Sequence, residues 1–274
     1  MRIAIQGIEG CFHQIAANKY FNHRVDVLPC LTFDELVHNV HNQKGCDLGI
    51  MAIENSIAGS LLQNYRLLQD NELKIIGEIY LRIDQHLIAP KGTKLNQIKE
   101  VHSHPMAIYQ CDQFLKTMNG IRLIEKEDTA LSVKNLATNS NNTTKAAIGS
   151  DLAADIYGME VIERSIETNK KNYTRFLVVS KEHNKDLENT NKSSVYIVVK
   201  HTKGSLAKVL DIIAKNNINL SKLQSFPITG SDWQYYFHLD LEYDKYQGFE
   251  NTKSEIKNYI QDIIVLGNYK KGEK

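Results

Sequence analysis

The chain is poor in cysteine. Its 274 residues include four, Cys11, Cys30, Cys46 and Cys111. No two stand in a C-x-x-C pair and no histidine cluster accompanies them at finger spacing, which argues against a zinc module or a disulfide framework and for small buried thiols. It also lacks an excess of charge. Lys plus Arg is 33 against 32 for Asp plus Glu, a formal net charge of +1, so a general nucleic-acid or membrane-surface binder is not expected. No apolar run approaches the length of a membrane span. The opening M-R-I-A-I-Q-G-I-E-G alternates and meets Glu9, so it reads as strand and turn rather than signal peptide, and a cytoplasmic protein is expected. A nucleotide loop is missing too: Gly7 and Gly10 in Q-G-I-E-G supply half of one, and no Walker lysine follows.

What the chain does have is alternation of strands and helices. Its length favours two domains. Residues 3–6, 25–29, 47–53, 74–81, 101–103, 121–125 and 146–148 read as strands, with amphipathic stretches between most of them. One such stretch opens with T-F-D-E, a capping box from Thr32 to Glu35, and carries Leu36, Val37 and Val40 on one face. The pattern predicts an α/β region with a largely parallel sheet. Residues 181–192 hold a single large apolar residue and read as a linker. After it come a strand at 194–200, a helix at 205–216, strands at 220–227 and 236–242, a helix at 252–261 and a strand at 263–269. In the third of these strands Phe237, Leu239 and Leu241 alternate with His238, Asp240 and Glu242. The order βαββαβ is that of a ferredoxin-like sandwich. The segment N-S-N-N-T-T (139–144) reads as a polar loop, and the tail K-K-G-E-K as frayed.

Several of the predicted strands run into small polar residues that open a helix. They are Glu54-Asn55-Ser56, Ser103-His104-Pro105, Asp128-Thr129-Ala130 and Gly149-Ser150-Asp151. Any one of them is an ordinary helix cap. Together, along one edge of an open sheet, they describe a place suited to a carboxylate or phosphate. A further polar group stands in N-K-K-N-Y-T-R-F-L-V-V, where Asn172, Tyr173, Thr174 and Arg175 sit on the threshold of an apolar strand. Alone, that stretch reads as a solvated loop.

In order, the segments I-A-I-Q-G-I-E-G-C-F-H-Q-I-A-A, A-I-E-N-S-I-A-G-S, Q-H-L-I, S-H-P-M-A-I-Y-Q-C, D-T-A, A-A-I-G-S-D-L-A-A-D-I-Y-G-M and N-Y-T-R-F resemble prephenate dehydratase over essentially the whole chain. G-S-L-A at Gly204, I-N-L at Ile218 and Q-S-F-P at Gln224 resemble the ACT regulatory domain that follows it. The resemblance implies a two-lobed catalytic domain like the type-2 periplasmic binding proteins over residues 1–180. Lobe 1 would take about 1–76 and 161–180, lobe 2 about 77–160, and an ACT domain residues 193–274. It also implies conversion of prephenate to phenylpyruvate in phenylalanine biosynthesis, without a metal or other cofactor. Two departures stand out. The opening G-P-x-G-T-F-S-H is here G-I-E-G-C-F-H-Q, and the ACT motifs differ at Ser205, Ala207, Gln224 and Phe226.

By the same resemblance Thr174 is the essential threonine, and it would serve as the hydrogen-bond donor to the departing oxygen. Arg175 would hold a carboxylate and Asn172 add an amide bond. Asn55, Ser56, Ser103, Gln110, Thr129 and Ser150 are candidates for carboxylate or hydroxyl contacts. Glu54 either touches substrate or organises a cap, and His104 and His86 either assist or are structural. Phenylalanine is expected as effector near Gly204, Ser205 and Leu206 and along Asn219, Leu220, Ser225 and Pro227, in a homodimer or homotetramer. Three alternatives stay open: arogenate as substrate, a non-catalytic amino-acid sensor, and a chorismate mutase fusion, for which no helical region is seen ahead of the first strand.

Overall fold

The computed structural model describes residues 2–138, 142–228, 230 and 234–273. The chain divides into two compact units, Met1–Tyr65 with Ile79–Phe176, and Arg66–Glu78 with Leu177–Glu273.

The elements up to the return of the first sheet are β1 (Arg2–Gln6), α1 (Phe12–Phe21), β2 (Asp26–Cys30), α2 (Phe33–His41), β3 (Leu48–Asn55), β4 (Gly59–Ser60), α3 (Leu62–Asp70) and β5 (Lys74–Arg82). A second sheet follows with β6 (His86–Ala89), β7 (Glu100–Ser103), α4 (Pro105–Gln110), α5 (Asp112–Leu115), β8 (Arg122–Glu125), α6 (Thr129–Ala137), β9 (Lys145–Gly149), α7 (Asp151–Ile156) and β10 (Glu160–Glu163). β11 (Tyr173–Ser180) then rejoins the first sheet. The strand orders are β2-β1-β3-β11-β5, with β4 on β3, and β10-β6-β9-β7-β8.

Parallel pairing holds for β1 with β2 and β3 and for β7 with β8 and β9. The expected largely parallel sheet is corrected at β6, which runs antiparallel to both its neighbours. The passages between sheets also lie later than expected, after Arg82 and before Tyr173, not near 77 and 160. Both are tied to each other by backbone bonds, Ile83 N–H to Asn172 O at 2.8 Å and Ile166 N–H to Gln85 O at 2.7 Å. β1 and β3 contribute Ile3, Ile5, Ile50 and Ile53 to a core closed by Leu36, Val37 and Val40 of α2. The cap of α2 forms as read from T-F-D-E: Thr32 Oγ1 accepts from Glu35 N–H at 3.1 Å. The Glu35 carboxylate reaches back to Leu31 N–H rather than to Thr32. Around the second sheet Leu87, Val101, Cys111, Ala146 and Ile148 pack together.

The remaining elements are β12 (Lys192–Val199), α8 (Ser205–Lys215), β13 (Asn219–Pro227), β14 (Tyr235–Glu242), α9 (Tyr246–Ile256) and β15 (Ile260–Tyr269). Their order βαββαβ and the antiparallel sheet β13-β14-β12-β15 make a ferredoxin-like sandwich. Val209 and Ile213 of α8 and Phe249 and Ile256 of α9 cover Val195, Ile197, Leu239 and Leu241 of the sheet. The second helix starts six residues before the expected 252 because its buried face is Phe249, Thr252 and Ile256, spaced at helical intervals in an otherwise polar run.

Lys192, expected as the last linker residue, is instead buried at the start of β12. Its Nζ stands 3.0 and 3.1 Å from the two oxygens of Glu78, and 3.5 Å from Glu242 Oε1. The tail is tied, not frayed, at two residues: Lys271 N–H donates to Asn191 Oδ1 at 2.7 Å and Gly272 N–H to Glu78 Oε1 at 3.1 Å. Asn139–Asn141 of the expected polar loop, and Lys274, lie outside the described residues. No helix among the described residues is long and apolar enough to cross a membrane.

Candidate active site

β3 and β11 lie side by side in the first sheet, so the end of one meets the beginning of the other. Asn55, the last residue of β3, donates through Nδ2 to Asn172 Oδ1 at 2.8 Å and to Thr174 Oγ1 at 2.9 Å. Its own Oδ1 accepts from the N–H groups of Ile57 and Ala58, both at 2.9 Å, which fixes which way the amide points. Asn172, wholly buried, passes the pattern on: its Nδ2 donates to Gln110 Oε1 at 3.0 Å. Ser56 pins the neighbouring backbone, exchanging bonds with Tyr173 and donating to Lys171 O at 3.1 Å.

The consequence for Thr174 is directional. Its oxygen already accepts a hydrogen, so its own proton is available to be given, and among the described residues no acceptor takes it. The side chain is 8% exposed, where a hydrogen bond is stronger than in water.

Five of the expected residues are therefore brought together: Asn55, Ser56, Gln110, Asn172 and Thr174. Others are placed differently. Ser103 donates to Ile148 O at 2.8 Å, and Ser150 to Gly10 O at 2.5 Å while capping α7 through Ala153 N–H. His104 caps α4, accepting from Met106 N–H at 3.2 Å, and is exposed. Thr129 opens α6 behind the cap Asp128, whose Oδ1 accepts from Leu131 N–H at 2.7 Å. Glu54 stands opposite Ser60 in the β3–β4 ladder. His86 Nδ1 accepts from Ser165 N–H at 2.9 Å. Arg175 is buried, and strand alternation directs it to the face of β11 opposite Thr174.

The departures in the opening turn fill a packed corner. His13 lies edge-on to Phe176, with centroids 5.0 Å apart, and accepts from Ala52 N–H at 3.4 Å; burial pushes its pKa down to about 3. Burial likewise pushes the Cys11 thiol up to about 12, against hydrogen bonds from nearby backbone N–H groups that lower it. α1 begins behind Cys11 with neither a side-chain cap nor an acid in its first turn. Gln14 N–H turns back to Cys11 O at 3.1 Å, and the positive end of the helix dipole faces the turn uncompensated by an acid of its own. Tyr157 was quoted within the resemblance without a role. It donates to Glu9 O at 2.9 Å, a contact over 148 positions that no local pattern announces.

The prephenate dehydratase family model matches residues 3–184. The chain belongs to the prephenate dehydratase family. A bifunctional chorismate mutase/prephenate dehydratase of Enterobacter agglomerans is 30% identical over 276 residues, covering 98% of this chain and 70% of that protein. Among solved structures, GqqA, described as a novel type of quorum-quenching acylase, superposes with a TM-score of 0.88 at 26% identity, over 99% of this chain and 98% of that one. A prephenate dehydratase of Arthrobacter aurescens in complex with L-Phe superposes with a TM-score of 0.85 at 23% identity, over 98% of this chain and 90% of that one. The residues matched by the family model include the Asn55–Asn172–Thr174 cluster.

In the second unit four of the seven expected effector residues line two hollows. Gly204, Ser205 and Leu206 line one of about 490 Å³ with Lys200, Thr202 and Phe237. Asn219 lines another of about 560 Å³ with Asn191, Glu242 and Lys271. Ser225 and Pro227 stand exposed on β13, an edge of the sheet, and Leu220 is half-buried.

Proposed function

We propose that this chain converts prephenate to phenylpyruvate, carbon dioxide and water. The observation that carries the reading, beside family membership, is the Asn55–Thr174 hydrogen bond, which leaves the Thr174 proton to be given. Prephenate has a ring hydroxyl opposite the carboxylate that leaves. As the C–C bond to that carboxylate breaks, its electron pair moves through the ring and the C–O bond breaks. The ring becomes aromatic, and the departing oxygen takes a proton and leaves as water. Aromatisation supplies the driving force. The protein must grip two carboxylates and place a donor where negative charge develops, and one such donor is worth about 3 kcal/mol. Thr174 is that donor, acting in concert with departure or relaying a proton from solvent, because a threonine hydroxyl does not ionise beforehand. The positive dipole end of α1, which carries no acid in its first turn, is a seat for one carboxylate.

An acyl-transfer reading, suggested by the acylase of similar fold, has less support. Cys11 is held as a neutral thiol, and Thr174 receives a hydrogen bond from an amide rather than giving one to a base.

The second unit is proposed to be an ACT domain that binds phenylalanine. Gly204, Ser205 and Leu206 line the hollow that supports this reading, and the protein is proposed to work as a homodimer or homotetramer in the cytoplasm. The test is phenylpyruvate formation from prephenate, with and without phenylalanine. Turnover is expected to fall when phenylalanine is added. Absence of product from prephenate, or faster turnover of arogenate, overturns the substrate assignment; indifference to millimolar phenylalanine overturns the regulation.

A further inference from the structure

The turn that leaves β1 is held by side chains belonging to the second sheet's helices. Ser150 Oγ donates to Gly10 O at 2.5 Å, and Tyr157 Oη to Glu9 O at 2.9 Å, so two hydroxyls at the two ends of α7 grip consecutive carbonyls. Between them Gly10 lies flat on the helix: a Cβ there would stand 2.8 Å from Ala153 Cα and 2.9 Å from Ala153 Cβ. Beside it, a Cβ on Gly7 would stand 3.2 Å from Asp128 Oδ2. The turn also leads into the N-terminus of α1, which has no side-chain cap. On another side the two sheets are joined by the passages around Ile83–Gln85 and Ile166–Asn172.

We propose that Tyr157, Ser150 and Gly10 form a clasp that holds the Gly7–Cys11 turn across the space between the two sheets, which makes Tyr157 and Ser150 positioning residues for that turn. A site that admits a ligand and then shuts around it needs contacts that part and re-form. Two neutral hydrogen bonds and one close apolar contact, without an ion pair, meet that need. Burial pushes the Tyr157 phenol up to about 12, helped by the charges of Glu9 and Asp128 and by Cys11, so it stays a donor. Loss of the clasp lowers the fraction of molecules with the turn in place. Apparent affinity falls by that fraction, while the saturated complex, in which substrate completes closure, turns over as before.

The inference rests on the prephenate reading for its kinetic part only. Tyr157→Phe keeps the ring and removes the hydroxyl. It is expected to raise KM by about 3- to 10-fold, the effect of one neutral hydrogen bond, with kcat within twofold. In substrate-free protein, amide hydrogen exchange at 7–12 should be faster than in wild type. Gly10→Ala, which cannot seat on Ala153, should raise KM further. Unchanged exchange at 7–12 in Tyr157→Phe overturns the clasp whatever the substrate proves to be. Faster exchange with unchanged KM, or a fall in kcat alone, overturns its positioning role. If Ser150→Ala raises KM and Tyr157→Phe does not, Ser150 is a ligand and the clasp is wrong.

Discussion

Two of the polar clusters among the described residues are built on opposite plans. In the first unit Asn55, Asn172, Gln110 and Thr174 are neutral and joined in one direction, and the line ends at a hydroxyl that still has a proton to give. In the second unit buried Lys192 and Glu78 are charged and matched: one ammonium faces both oxygens of Glu78, and Glu242 is met by Lys192 on its inner side and by the half-exposed Lys271 on its outer side. A buried ion set that closes on itself specifies a structure. A neutral one left short by one acceptor is prepared for something that arrives from outside.

The sharpest way to break the comparison is at Lys192. Lys192→Met should cost about 3–5 kcal/mol in urea unfolding, because the Glu78 carboxylate stays buried without the ammonium that faced it, and adding Glu78→Leu should restore most of the loss. A loss below about 1 kcal/mol would mean that the cluster is not structural. Thr174→Ala should lower kcat by about 100- to 1000-fold with little change in melting temperature; undiminished turnover in folded protein would remove Thr174 from the chemistry. Asn55→Asp tests the direction of the line. A carboxylate cannot donate to Thr174 and instead takes its proton, so kcat should fall by about 10-fold or more. Normal turnover would show that the direction does not matter.

The smallest expected effect is on acid stability. His13 has its folded pKa lowered from 6.5 to about 3, so its contribution is present above 6.5 and is lost as pH falls towards 3. For Glu242 burial acts to raise the pKa, and the hydrogen bonds and charges of Lys271, Ser221, Lys192 and Asn219 outweigh it, lowering the value from 4.5 to about 2. Its contribution is therefore present above 4.5 and is lost as pH falls towards 2. Denaturation followed from pH 7 downwards should find the His13 loss first, and His13→Leu should flatten the curve between 6.5 and 3 alone. An unaltered curve in that variant would sink the assignment.

Much of the fold was legible because burial is periodic. The i, i+3, i+4 spacing in α8 faces one core, so pattern and structure agree there. The alternation in β14 sends Leu239 and Leu241 to that core, but its polar face is not solvated, since His238 and Asp240 are buried and hydrogen-bonded to each other. β6 and β10 were not anticipated as strands: each has four residues, too few to show a period. α9 was placed late because Gln247, Gly248, Glu250 and Asn251 hide the single buried residue, Phe249, in its first half. At the site, a threonine on a strand could be read locally. The partner that orients it could not, since Asn55 and Thr174 are 119 positions apart and meet only through strand pairing. Ser150 reads as a cap and Tyr157 has no role in the sequence pattern, and the carbonyls they grip lie 140 and 148 positions away.

Position 10 sets a limit on how this protein can drift. Its backbone has φ +88°, and Ala153 occupies the volume that any side chain would enter. In a library of all single substitutions scored twice, once for soluble yield and once for rescue of a phenylalanine-requiring host, most sites should give concordant scores. Variants at this glycine should keep the first score better than the second, since a displaced turn leaves both sheets paired.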